Sequence, residues 1–84
     1  MAITNQESST SNAKVLDDDS PRAIIFHNSD ANRVYILLGS GTASASNHSF
    51  SLAENENARV ENHSGEVNAV WAGDGSGFLH VTTL

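Results

Sequence analysis

The chain of 84 residues reads as an all-β fold: a small antiparallel β-sandwich or barrel of about six strands, preceded by a flexible polar N-terminal arm. Short runs rich in Val, Ile, Phe, Tyr and Trp alternate with turn-forming clusters, and β-branched and aromatic side chains suit a pleated, half-buried surface. No stretch carries three turns of helical apolar periodicity. The expected division is an arm over residues 1–21 and a β-sandwich domain over residues 22–84.

The arm is defined by composition. Its side chains are mostly Ser, Thr, Asn, Gln and Asp, and its few larger apolar residues, Ile3, Val15 and Leu16, are scattered. Such a segment has little apolar surface to set against its ordering entropy. Extended, about 20 residues reach roughly 65 Å, far enough to lie across a neighbouring subunit. Val15 and Leu16 are its plausible anchor. The Asp17–Asp19 run reads as solvated charge ahead of Pro21, because adjacent carboxylates lack the spaced ligands and central Gly of a calcium loop.

Arg22–Asn28 and Arg33–Leu38 are apolar runs joined by Ser29-Asp30-Ala31-Asn32, a cluster of turn-formers. They predict a hairpin with Phe26 and Ile36 in the core and Ile25, Tyr35 and Leu37 on the other side. That second side is apolar enough to require a covering layer or a partner. Gly39–Ser46 is a small-residue loop; its Gly-x-Gly lacks the following Lys-Ser/Thr of a phosphate loop. His48–Ala53 alternates, with Phe50 and Leu52 inward, and Ala58–Asn62 does the same with Ala58 and Val60. Val67–Trp71 and Phe78–Val81 flank Gly73-Asp74-Gly75-Ser76-Gly77 and predict a closing hairpin, in which Gly permits positive φ. The expected core is Phe26, Ile36, Phe50, Val67, Trp71 and Phe78.

Charge and motif content narrow the function classes. The chain has no Cys, and ten acidic residues against four basic give a net charge of −6. Such a surface repels a phosphate backbone, and no basic patch interleaves with aromatics, so no nucleic-acid partner is expected. It suits a partner with basic patches. No apolar run approaches the roughly 20 residues of a spanning helix, no export signal is read at the N-terminus, and no membrane partner is expected. The four histidines, His27, His48, His63 and His80, lack HExxH spacing, and no Gly-x-Ser-x-Gly elbow accompanies the abundant Ser. No catalytic residue, metal ligand or cofactor is expected. Asn47-His48-Ser49 and Asn62-His63-Ser64 match the glycosylation acceptor pattern by coincidence in an Asn- and Ser-rich chain.

Two blocks, Asn28–Ser44 (NSDANRVYILLGSGTAS) and Val67–Leu84 (VNAVWAGDGSGFLHVTTL), together resemble a loosely defined family of short tailed-phage virion proteins. The shared positions are Asn28, Ser29, Val34, Tyr35, Leu38, Gly39 and Gly41, then Gly65, Val67, Ala69, Val70, Trp71, Gly75, Gly77, Val81, Thr82 and Leu84. The middle segment, Ala53–Asn62, is more acidic and less aromatic than the pattern. The resemblance implies a virion component, a capsid decoration (cement) protein bound outside a phage head, with the major capsid protein as partner. Made in the host cytoplasm, it would act on the capsid surface. The expected oligomer is a trimer ahead of a dimer, with Ile25, Tyr35, Leu37, Val15 and Leu16 at the oligomer or capsid interface. The alternative is a glycan- or receptor-binding module of a head fibre or tail, using Tyr35 and Trp71.

Overall fold

The computed structural model describes residues 2–84; the side chains of Asp18 and Asp19, and so most of the acidic run, lie outside the described set. Six strands and no helix are present among the described residues: β1 (Ala2–Glu7), β2 (Ala13–Asn28), β3 (Val34–Leu38), β4 (Phe50–Leu52), β5 (Asn57–Trp71) and β6 (Phe78–Thr83). All pairs are antiparallel, in the order β1-β6-β2-β5-β3-β4. The fold is all-β, as the alternation of apolar runs and turns predicts.

One ladder becomes two layers because its two central strands are long enough to serve both. β2 has 16 residues and β5 has 15. The C-terminal half of β2 (Ile24–Asn28) pairs with β6 and with the start of β5. The N-terminal half of β2 pairs instead with the end of β5, which pairs onward with β3. The first layer is therefore β1, β6 and the two outer halves; the second is the two inner halves with β3 and β4. The bend between them has visible causes. The β2–β5 register shifts between Lys14 and Leu16, between Asp18 and Arg22, and between Arg22 and Ile24. On the facing strand Asn62 (φ 56°) and Gly65 (φ 95°) take positive φ. Bulges and positive-φ residues bend a strand and raise its twist, which is how a strand turns a sandwich corner.

The core lies between the layers. The first contributes Ile24, Phe26, Leu79 and Val81; the second contributes Val15, Val34, Ile36, Leu52, Val67, Ala69 and Trp71. Two contacts cross from layer to layer: the Phe26 and Phe50 rings meet edge-on with centroids 5.7 Å apart, and Trp71 Nε1 donates to Asn28 Oδ1 at 3.2 Å. Phe26, Ile36, Val67 and Trp71 are buried, and Phe50 packs half-buried against them.

The structure corrects four expectations. The stretch read as a flexible arm is β1 and the first half of β2. Ala2–Glu7 pairs in full with Phe78–Thr83. An edge strand gains backbone hydrogen bonds on one side and needs little burial, so a polar sequence is tolerated there. Val15, read as an arm anchor, is a core residue, because the register shift beside it turns both Val15 and Leu16 onto the cluster. Neither predicted hairpin forms. β2 does not pair with β3, nor β5 with β6, since the long strands already occupy the neighbouring positions and the intervening loops cross between layers. Phe78 is consequently 37% exposed and not core: in β6 the inward residues are Leu79 and Val81.

Candidate interaction surfaces

At one end of the sandwich, the two crossing loops are locked together by a buried carboxylate. Asp30 is 1% exposed. Its Oδ1 accepts from Asn32 N (2.8 Å) and Asn32 Nδ2 (3.0 Å), and its Oδ2 accepts from Gly77 N (3.0 Å). Burial alone pushes this carboxyl's pKa up. Donation from the backbone of Asn32 and Gly77 and from the Ser8 and Asn32 side chains outweighs that and holds it below the ordinary value. Glycines make the approach possible. A Cβ on Gly75 would stand 2.3 Å from Asp30 Oδ2, and one on Gly77 would stand 2.5 Å from Asp30 Cα. Beside them Asn28 accepts from Trp71 Nε1 and from Asp30 N, and donates to Asn32 O and Leu52 O. Asn28, Ser29, Trp71, Gly75 and Gly77, which carry the resemblance, thus converge on one clamp. Sequence reasoning took Ser29–Asn32 as a simple turn. The signal it contained was Asp-x-Asn, since an Asp that bonds the backbone two residues on makes an Asx-turn.

The outer side of the second layer carries a groove of about 380 Å³. Tyr35 and Val70 form its floor, directly opposite one another on β3 and β5, and Thr10, Thr42, Ser44 and Ala45 form its rim. Asn12 and Asn68 hold that rim: Asn12 Nδ2 donates to Asn68 Oδ1 (3.0 Å), Asn12 Oδ1 accepts from Ala43 N (2.8 Å), and Asn68 Nδ2 donates to Gly39 O (2.8 Å). The His48 ring lies 5.0 Å from that of Tyr35. Leu37, two residues along β3, continues the same face, half-buried.

Ile25 is elsewhere. Its partners are Arg59 and Thr82, so it lies on the outer side of the first layer, across the molecule from Tyr35 and Leu37. Sequence reasoning joined the three through a hairpin that does not form. Thr82 also pairs with Ile3, and one step along the strands Asn5, His80, His27 and Asn57 stand in a row. The two imidazoles are stacked with centroids 5.9 Å apart. His80 Nδ1 lies 2.7 Å from Asn5 Oδ1, and its Nε2 lies 3.0 Å from Ser29 Oγ. A hydroxyl, an imidazole and an amide oxygen in that order resemble a proton relay. Here, however, Ser29 Oγ also accepts from Phe78 N (3.2 Å) and sits 3.1 Å from Phe78 O, so the hydroxyl is engaged in joining β2 to β6. Among the described residues no group of three or more His, Asp or Glu comes together as a metal site.

No protein-family model matches this chain, and no curated protein or solved structure matches it.

Proposed function

We propose that this protein is a structural virion component, a capsid decoration protein that binds the outside of a phage head and stabilises the shell. The observation that carries the reading is a two-sided surface. One broad face of the sandwich presents Tyr35, Leu37 and Val70 around a groove, and the other presents Ile3, Ile25 and Phe78. A small body with apolar side chains on both broad faces fits a place between two neighbours better than a solitary role. The groove face is the one assigned to the major capsid protein, because a concave surface receives a projecting segment of another chain. The acidic surface, at a net charge of −6, favours a partner with basic patches. Binding that exists only in the assembled shell stabilises the shell by mass action.

The test is co-sedimentation with purified undecorated heads, comparing the wild type with Tyr35→Asp and Leu37→Asp. Wild type pelleting with heads and the variants left in the supernatant is the expected result. Wild type remaining in the supernatant at every head concentration overturns the reading. A second reading, a glycan-binding module, is favoured by the hydroxyls of Thr10, Thr42 and Ser44 around the Tyr35 ring, since sugar sites pair an aromatic with convergent polar groups. Binding to host cells and not to heads supports that reading instead.

A further inference from the structure

We infer that Asp74-Gly75 is a site of spontaneous backbone modification, at which the Asp74 side chain cyclises onto the Gly75 amide and reopens as isoaspartate. This goes beyond the shell-binding reading and does not depend on it. Cyclisation to a succinimide needs a carboxyl one residue ahead of an amide nitrogen, and a side chain on the second residue obstructs the approach. Asp74-Gly75 is the one place in the sequence where Asp or Asn precedes Gly. The fold holds that Gly in place, because a Cβ at position 75 would stand 2.3 Å from Asp30 Oδ2 and 2.7 Å from Oδ1. The clamp that buries Asp30 therefore imposes an unobstructed amide directly after Asp74. The loop around it is open: Asp74, Gly75 and Ser76 are exposed between β5 and β6. Among the described residues the Gly75 N–H donates no hydrogen bond, so nothing has to be broken before it attacks. One donor reaches the carboxyl, Thr10 N on Asp74 Oδ1 at 3.3 Å. A backbone N–H there stabilises the charge that gathers on this oxygen when Cγ becomes tetrahedral. Asp30 is the internal contrast: it precedes Ala31, is buried, and has both oxygens engaged.

The chemistry needs only water. The Gly75 nitrogen bonds to Asp74 Cγ, the Cγ–Oδ2 bond breaks, and Oδ2 leaves as water with the amide proton and the proton of the carboxylic acid. Water then opens the ring at one of its two carbonyl carbons. Opening at Cγ restores Asp74. Opening at the backbone carbonyl leaves the chain running through Cβ and Cγ, with a free α-carboxylate in place of the side chain. The product has the original mass and a backbone longer by one methylene. That extra atom falls immediately ahead of the tightest loop in the molecule. Ser8 Oγ donates to Gly75 O at 3.1 Å, Ser8 N donates to Gly77 O at 3.1 Å, and Gly77 N donates to Asp30 Oδ2 at 3.0 Å. Gly75 and Gly77 have no room to shift toward Asp30, so the added length is expected to pull them off it and break the Gly77–Asp30 bond. The change also reaches the groove, because Thr10 stands on its rim.

The test is to incubate the folded full chain at about 37 °C and neutral pH for several weeks, beside a second sample held in denaturant. Samples are digested in mild acid, and isoaspartate is located by fragmentation mass spectrometry and by methyl labelling with protein L-isoaspartyl methyltransferase. The expected result is an isobaric, methyl-accepting form at position 74 in the folded sample, with none at Asp30. The isomerised fraction, separated by ion exchange, is expected to melt below the fresh protein. Asp74→Glu keeps the charge but would have to close a slower six-membered ring, so it is expected to accumulate no such form and to keep its melting curve throughout. Isoaspartate confined to the denatured sample overturns the inference. So does modification of the folded chain mainly at another residue, or an isomerised fraction that melts with the fresh protein.

Discussion

Asp30 is where a single side chain decides most. Its two oxygens take three hydrogen bonds from Asn32 and Gly77 while it is withdrawn from water. Because its folded pKa is lowered, it contributes stability that is fully present above its unfolded value and is lost as pH falls through the folded value. Asp30→Asn is expected to cost about 1.5–3 kcal/mol near neutrality, the range for hydrogen bonds to a charged group. The two melting curves should approach each other as pH falls from the ordinary carboxylate value, about 4, toward the lowered value of the folded protein, where the wild-type carboxyl protonates. A gap in melting temperature that stays constant from pH 7 to pH 2 would sink this account. The glycines facing Asp30 are constrained just as closely. Gly77→Ala forces a Cβ against the Asp30 backbone, and overpacking of that kind costs roughly 1–3 kcal/mol. Ser76→Ala, at the exposed residue between the two glycines, should change stability by less than about 0.5 kcal/mol. Equal denaturant midpoints for the two variants would show that the loop yields and the clamp is loose.

At the level of elements, Trp71 and Phe78 part company. Trp71 ends β5 inside the core with its indole N–H on Asn28, whereas Phe78 opens β6 facing water. Trp71→Ala is expected to cost about 3–5 kcal/mol, and Phe78→Ala under about 1 kcal/mol in the dilute monomer. Thermal melts at low micromolar concentration separate these outcomes, and a larger loss for Phe78→Ala would mean that β6 is turned over. The same pair shows what was legible in the chain. Strand existence is readable, because apolar alternation reports local structure: β2 to β6 each contain an apolar run, although Ala58–Asn62 and Val67–Trp71, which the sequence presents as two strands, are the two halves of β5. Burial of Phe26, Ile36 and Val67 follows from the same alternation. Partnership was not readable. Ser29–Asn32 and Gly73–Gly77 have the chemistry of tight turns, and turn chemistry does not tell a hairpin from a crossing between layers. The pattern of β1 was hidden too, because Ala2–Glu7 is held by backbone pairing to β6, which leaves no apolar signature. Asp30 was passed over for a related reason: a carboxylate in a polar turn looks solvated until the loop that covers it, Gly73–Gly77, is in place.

The whole molecule is tied together by β2 and β5, which run through both layers. Neither layer owns its central strands, so neither can melt while the other keeps its ladder. Cooperative two-state unfolding is therefore expected despite the two-layer architecture. Most of the pairing joins residues distant in sequence, from Ala2 with Thr83 to Ala13 with Ala69, so folding is expected in the millisecond-to-second range typical of non-local β topologies. The corner at Gly65 is where this coupling can be probed. With φ at 95° and open space where a Cβ would go, Gly65→Ala meets no clash but is strained in the backbone, at a cost of about 1–2 kcal/mol. Trp71 fluorescence reports the second layer, and the His27 and His80 ring proton signals report the first. In the wild type the two sets of signals should melt together. In Gly65→Ala both should move down by the same amount, about 4–8 °C for each kcal/mol in a domain of this size. If the histidine signals melted ahead of the tryptophan, or only one probe moved, the layers would be separable and the long strands would not be what couples them.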